Sequence, residues 1–161
     1  MLFRSDVFYG YDDDDGIVGS GDDETIFGGN GFDTLRGQGG DDVLYGGNDD
    51  DLLYGGDGND TIDGGWESDR IEGGSGNDLI RGGDDYDDDT LSGGDGRDTL
   101  VSGYGIDLLY GGPGGDVFAA DTVSEFDDDT IADFMPGAVA ESDYIDVQSD
   151  FSALDGTKLT G

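Results

Sequence analysis

The chain has 161 residues, of which 41 are acidic, 6 are basic and 34 are glycine, and it carries a formal net charge of −35. That charge excludes nucleic acid as a partner, because such binding rests on neutralising phosphates with lysine and arginine, and it disfavours anionic membranes. The absence of cysteine and histidine excludes disulfides, thiolate metal sites, the zinc-binding H-E-x-x-H helix and Ser-His-Asp triads, so no enzyme activity is expected of this chain by itself.

Taken from the amino terminus, residues 1–10 (MLFRSDVFYG) lack the apolar run of a secretory signal peptide. No stretch is apolar enough to insert into a membrane. From Gly10 onward the chain repeats itself every nine residues. Copies begin at Gly10, Gly19, Gly28, Gly37, Gly46, Gly55, Gly64, Gly73, Gly82, Gly93, Ser102 and Gly111. Four are nearly ideal: GGNGFDTLR from Gly28, GGDGNDTID from Gly55, GGSGNDLIR from Gly73 and GGDGRDTLV from Gly93. The copy from Gly82 to Ser92 is two residues too long, which predicts a bulge around Tyr86 and Asp87.

Low hydrophobicity with high charge is also the composition of disordered chains. Two chemical rules held at fixed offsets through twelve copies argue for order instead. The sixth position is always acidic: Asp15, Glu24, Asp33, Asp42, Asp51, Asp60, Asp69, Asp78, Asp89, Asp98, Asp107 and Asp116. The eighth is always apolar: Ile17, Ile26, Leu35, Leu44, Leu53, Ile62, Ile71, Ile80, Leu91, Leu100, Leu109 and Phe118. Glycine admits positive φ without steric cost, so the first six residues of a copy are expected to form a tight turn. The last three are expected to form a short strand whose eighth residue alone points inward.

These copies resemble the G-G-x-G-x-D-x-U-x nonapeptide of the RTX (repeats-in-toxin) family over Gly10–Ala119. The resemblance implies an all-β parallel β-roll, a solenoid of two short-stranded parallel sheets, with odd copies in one sheet and even copies in the other. Stacking brings sixth-position carboxylates to roughly 5 Å, where each pair repels by about 3 kcal/mol at an effective dielectric of ~20. A hard cation removes that repulsion. The resemblance implies calcium, held between successive turns by the aspartates at position six and by backbone carbonyls. The ligand set expected is Asp15, Asp33, Asp42, Asp51, Asp60, Asp69, Asp78, Asp89, Asp98, Asp107 and Asp116, with carbonyls of Gly29, Gly31, Gly47, Gly56, Gly58, Gly74, Gly76, Gly94 and Gly96. Twelve copies, two to a coil, allow at most about ten such sites. An EF-hand is excluded, since its loop needs a glutamate at position twelve and flanking amphipathic helices.

Several copies depart from the pattern. Asp13, Asp22, Asp49, Glu67 and Asp85 replace the fourth-position glycine, and Tyr11, Ser20 and Gln38 the second. The first two copies and the long one are therefore the weakest expected sites. On the outer faces, Phe27 is expected beside Tyr45, Asp63 beside Arg81, and Arg36 in line with Tyr54 and Glu72. Tyr45, Tyr54 and Tyr110 are a candidate platform for a carbohydrate or a partner.

After Ala119 the period ends. The stretch from Asp129 to Phe134 and that from Asp143 to Val147 are similar to the D-x-I-x-D-F … D-x-I-D-L segment that follows the roll in the family. The expected organisation is a roll over 1–119 and a truncated capping segment over 120–161, cut from a larger exported protein. The resemblance implies a secreted, extracellular protein exported by type I secretion machinery. The module would stand behind an upstream hydrolase or polysaccharide-modifying domain, or within an adhesin or surface-layer array.

Overall fold

The structure is a computed structural model, and it describes residues 6–83, 85–120, 129–134 and 143–147. Among the described residues there are fifteen strands and no helix, so none crosses a membrane as a helix. In chain order they are β1 (Asp6–Asp12), β2 (Gly16–Val18), β3 (Glu24–Asn30), β4 (Thr34–Gly39), β5 (Val43–Asn48), β6 (Leu52–Asp57), β7 (Thr61–Trp66) and β8 (Arg70–Ser75). There follow β9 (Leu79–Gly83), β10 (Thr90–Asp95), β11 (Thr99–Val101), β12 (Leu108–Tyr110), β13 (Val117–Ala120), β14 (Thr130–Ile131) and β15 (Tyr144–Val147).

The odd-numbered strands form one sheet of eight and the even-numbered strands a second sheet of seven, each in sequence order and wholly parallel. Parallel neighbours need a crossover of a dozen residues or more. Here the crossover is the intervening copy, which lies in the opposite sheet. Two nine-residue copies thus make one coil, and the pairing offset is the doubled period: Leu35 sits beside Leu53 and Ile62 beside Ile80. Across the long copy the offset grows by two, so that Ile71 pairs with Leu91 and Leu79 with Thr99. The insertion therefore falls between Gly83 and Thr90, as the sequence requires, and leaves both sheets in register. A roll of two parallel sheets is the architecture expected.

The strands are longer than expected. Ladder pairing does not stop at the ninth residue but runs on through the first glycines of the next copy, so that Gly29 pairs with Gly47 and Asn48 with Trp66. Glycine allows this because no Cβ stands between the stacked backbones.

Eighth-position side chains from Ile26 to Phe118 are fully buried and make the core between the sheets. Each contributes about 1.5–3 kcal/mol by leaving water. Ile17 is only partly buried, because its coil lies at the end of the stack, beside Phe8. At the other end Phe134 packs on Phe118 with ring centres 6.1 Å apart. Beyond Ala120 the expected carboxyl-terminal cap is described only over 129–134 and 143–147, where β14 and β15 add the last strand to each sheet; the rest of 121–161 lies outside the described residues.

Outward residues line up as expected. Phe27 stacks on Tyr45 at 4.9 Å, and Tyr9 extends the row. Asp63 pairs with Arg81 in the ladder, and the Arg36 guanidinium lies 4.7 Å from the Tyr54 ring centre. The carbohydrate platform fails on topology. Tyr45 belongs to the odd sheet, whereas Tyr54 and Tyr110 belong to the even sheet and have two strands between them.

Leu53 and Leu52 are adjacent residues on opposite faces, one fully buried and the other 39% exposed. Leu53→Ala is expected to cost about 2–5 kcal/mol and Leu52→Ala no more than about 0.5 kcal/mol, measured by denaturant unfolding in calcium.

Candidate metal centre

The sixth-position aspartates from Asp33 to Asp116 are at most 3% exposed. One oxygen of each is used by the fold. The backbone N–H of Asp33 donates to Asp51 Oδ1, that of Asp51 to Asp69 Oδ1, and that of Asp42 to Asp60 Oδ1, all at 2.8 Å. The pattern runs down both edges of the roll, each carboxylate accepting from the equivalent residue one coil earlier. The other oxygen is not used. Oδ2 of Asp33, Asp42, Asp51, Asp60, Asp69, Asp78, Asp98, Asp107 and Asp116 is buried without a hydrogen-bond partner. Unpaired buried carboxylate oxygens carry the full penalty of desolvation and point to something that pairs them.

What faces these oxygens follows from the glycines. A Cβ on Gly55 would collide with Asp60 Oδ2 and with the Gly73 carbonyl oxygen, and the same pair of clashes recurs at Gly28, Gly37, Gly46, Gly64 and Gly73. The bare Cα thus opens a recess on which a carboxylate oxygen and a carbonyl oxygen of the next coil converge. At positions two and four the carbonyls of Gly29, Gly56, Gly58, Gly74 and Gly76 point at the stacked glycine of the following coil. All nine glycines expected as ligands adopt positive φ, between 107° and 147°. Among the described residues no three acidic side chains are placed to hold a metal ion by themselves, so any ion held here needs carbonyls as well. A set of carboxylate and carbonyl oxygens, without nitrogen or sulfur, fits a hard divalent cation.

A family model for the RTX calcium-binding nonapeptide repeat matches in four copies, over residues 18–53, 36–71, 63–100 and 85–118, more than half of the chain. The chain belongs to the RTX calcium-binding repeat family. No curated protein matches the sequence. The repeats are calcium-binding repeats and the roll they build is structural rather than catalytic.

Burial dominates the electrostatics of the RTX roll. It raises the carboxyl of Asp42 and that of Asp98 to about 6, those of Asp51, Asp78 and Asp107 to about 7, Asp89 to about 8 and Asp69 to about 9, against a partial lowering by the backbone N–H bonds. Neighbouring carboxylates add to the rise; for Asp69 they are Asp89, Asp51 and Asp85. A carboxyl raised on folding favours the fold only while it is protonated. That contribution is complete below about pH 4 and is lost as pH climbs through the range of about 6 to 9.

The end coils differ from the middle ones. Asp15 is only half-buried, and Glu24 turns its longer side chain back to accept from the Ser20 amide at 2.8 Å and the Ser20 hydroxyl at 2.6 Å. Ser20, a departure from glycine, is thus matched to Glu24, a departure from aspartate. Tyr11, Asp13, Gln38, Asp49 and Glu67 hold the left-handed conformation of the glycines they replace, at φ between 74° and 84°. Two members of the carboxylate rows were missed in sequence. Asp129 Oδ1 accepts from the Asp107 amide at 2.9 Å and Asp143 Oδ1 from the Asp116 amide at 3.0 Å. The signal was present, since each precedes an isoleucine by two residues, the spacing of positions six and eight.

In chelator, acidification from pH 8 to pH 5 is expected to increase the sheet signal in far-ultraviolet circular dichroism; a metal-free roll that loses structure on acidification contradicts the desolvation argument. Gly55→Ala places a methyl group in the recess and is expected to cost about 1–3 kcal/mol of stability in calcium. The matched control is Gly21→Ala, whose Cβ meets nothing within 4 Å, and which is expected to shift stability by no more than about 0.5 kcal/mol.

Proposed function

We propose that this chain is a calcium-dependent folding module of an exported protein, disordered where calcium is scarce and folded outside the cell. The observation that carries the proposal is the row of nine buried Oδ2 atoms without partners. Among the described residues no basic side chain is buried with them, so these residues supply no buried compensating charge. The sixth-position aspartates, with carbonyls of the glycines at positions one, two and four, would hold the ions. Calcium would supply the positive charge and the oxygen coordination that these groups lack.

The chain's own chemistry then accounts for a switch. Without a cation, burial of so many carboxylates opposes stacking of the coils; with one, the same residues cross-link coil to coil. Export by type I machinery suits such a module, because a chain of this charge stays extended where calcium is low. Low hydrophobicity, at 33% of residues, keeps that extended form from collapsing. In a longer protein the folded roll serves as a rigid, non-catalytic part beside whatever domain carries the activity.

Calcium at millimolar concentration is expected to convert a coil-like circular dichroism spectrum into a sheet spectrum, and excess chelator to reverse it. Spectra that coincide in chelator and in calcium sink the proposal. Asp60→Asn and Asp69→Asn sharpen the test: each is expected to weaken calcium-induced folding while stabilising the metal-free chain, and a loss of stability in both conditions contradicts it.

A further inference from the structure

Three features particular to this chain meet at one place on the roll. The only tryptophan, Trp66, stands at position three of its copy. Acidic residues replace the fourth-position glycine in three stacked turns, at Asp49, Glu67 and Asp85. The two-residue insertion lies in the last of these turns and brings Tyr86 and Asp87. Together with Asn48 these residues line a cavity of about 350 Å³.

The fold asks for none of them. Glycine would relieve the left-handed backbone at Asp49 and at Glu67, where φ is 75° and 74°, and strain kept at a surface turn points to a use. Trp66 and Tyr86 are 61% and 82% exposed, large apolar surfaces left in water along the cavity wall. Tyr86 is steadied by Tyr104 of the next coil, ring centres 5.2 Å apart. Asp49 Oδ2 accepts from the Gly31 amide at 3.1 Å and Asp85 Oδ2 from the Glu67 amide, so two of the carboxylates are anchored to backbone. Among the described residues no lysine or arginine lines the cavity.

We infer that this cavity binds a guanidinium group, with its flat face on the aromatic wall and its N–H donors on the carboxylates. An inorganic cation would use the carboxylates and leave Trp66 and Tyr86 without a purpose. A neutral sugar would use the rings and leave the charge uncompensated. A guanidinium is planar and weakly hydrated, stacks on aromatic rings, and presents a fork of donors matched to carboxylate oxygens. The group could belong to a small guanidine or to an arginine of a peptide.

The inference rests on the calcium-folded roll proposed above. The full chain in millimolar calcium, at constant ionic strength, is titrated with agmatine and separately with the tripeptide Gly-Arg-Gly, reading the fluorescence of Trp66. A saturable change with either is expected, and the tighter of the two identifies the source. The Asp49→Gly/Glu67→Gly double variant restores the glycines of the repeat and keeps the calcium-dependent circular dichroism; its affinity is expected to fall roughly tenfold or more. No saturable change, the same change with potassium chloride, or undiminished affinity in the double variant overturns the inference. Circular dichroism of the same samples separates the two proposals: a chain that stays unfolded in calcium counts against calcium-dependent folding, and a folded chain indifferent to both guanidines counts against this site.

Discussion

The burial of a carboxylate at the same place in every coil governs the rest of this molecule. Each sixth-position aspartate from Asp33 to Asp116 is taken out of water, stacked beside its equivalents and given one backbone N–H as compensation. That single bond does not balance desolvation, which is why burial is the leading cause of the raised carboxyls from Asp42 to Asp107. Under the folding role proposed above, a chain built on this interaction has a fold whose stability is set from outside, by pH and by the supply of cations.

The remaining features serve that arrangement. The core is one aliphatic residue deep, a single file from Ile26 to Leu109 closed by Phe118, and a file of this kind offers each copy only one buried apolar side chain. Glycine at position one is required by the neighbouring oxygens rather than by the turn alone, since a Cβ at Gly55 or Gly73 would occupy the recess that Asp60 or Asp78 faces. Strand pairing that continues into Gly29 and Gly47 brings consecutive turns close enough for an oxygen of one coil to face the backbone of the next. Core, glycines and ladder all bring coils into contact, and the carboxylates decide whether that contact persists.

The two edges of the roll are built from the same motif but are not equivalent. Along one, the fourth positions are mostly glycine, with Gly40, Gly58, Gly76, Gly96 and Gly114 stacked so that each carbonyl meets the next Cα. Along the other stand Asp13, Asp49, Glu67 and Asp85, together with the insertion and the exposed Trp66. A solenoid tolerates such changes because each coil contacts only its neighbours. The run of departures from Asp49 to Asp87 along one edge therefore leaves the sheets intact and gives that edge a surface of its own.

Much of this was legible in the residues themselves. Ninefold spacing determined the coil, because a parallel neighbour needs a connection of at least a dozen residues and one further copy supplies it. Alternation determined which residue of three faces inward, and so the whole core. The inserted pair at Tyr86 and Asp87 was visible as a break in phase. What spacing does not encode is which atoms meet. The use of Oδ1 by a backbone amide, the orphaned Oδ2 and the entry of Asp129 and Asp143 into the carboxylate rows all depend on how one coil lies over the next. So does the assignment of Tyr45 and Tyr54 to opposite sheets. Sequence alone determined the period and the chemistry of each position, since these are properties of one copy. Only the tertiary structure decided the partners of each oxygen and the convergence of Trp66, Glu67 and Tyr86 on one cavity, because those contacts join residues of different coils.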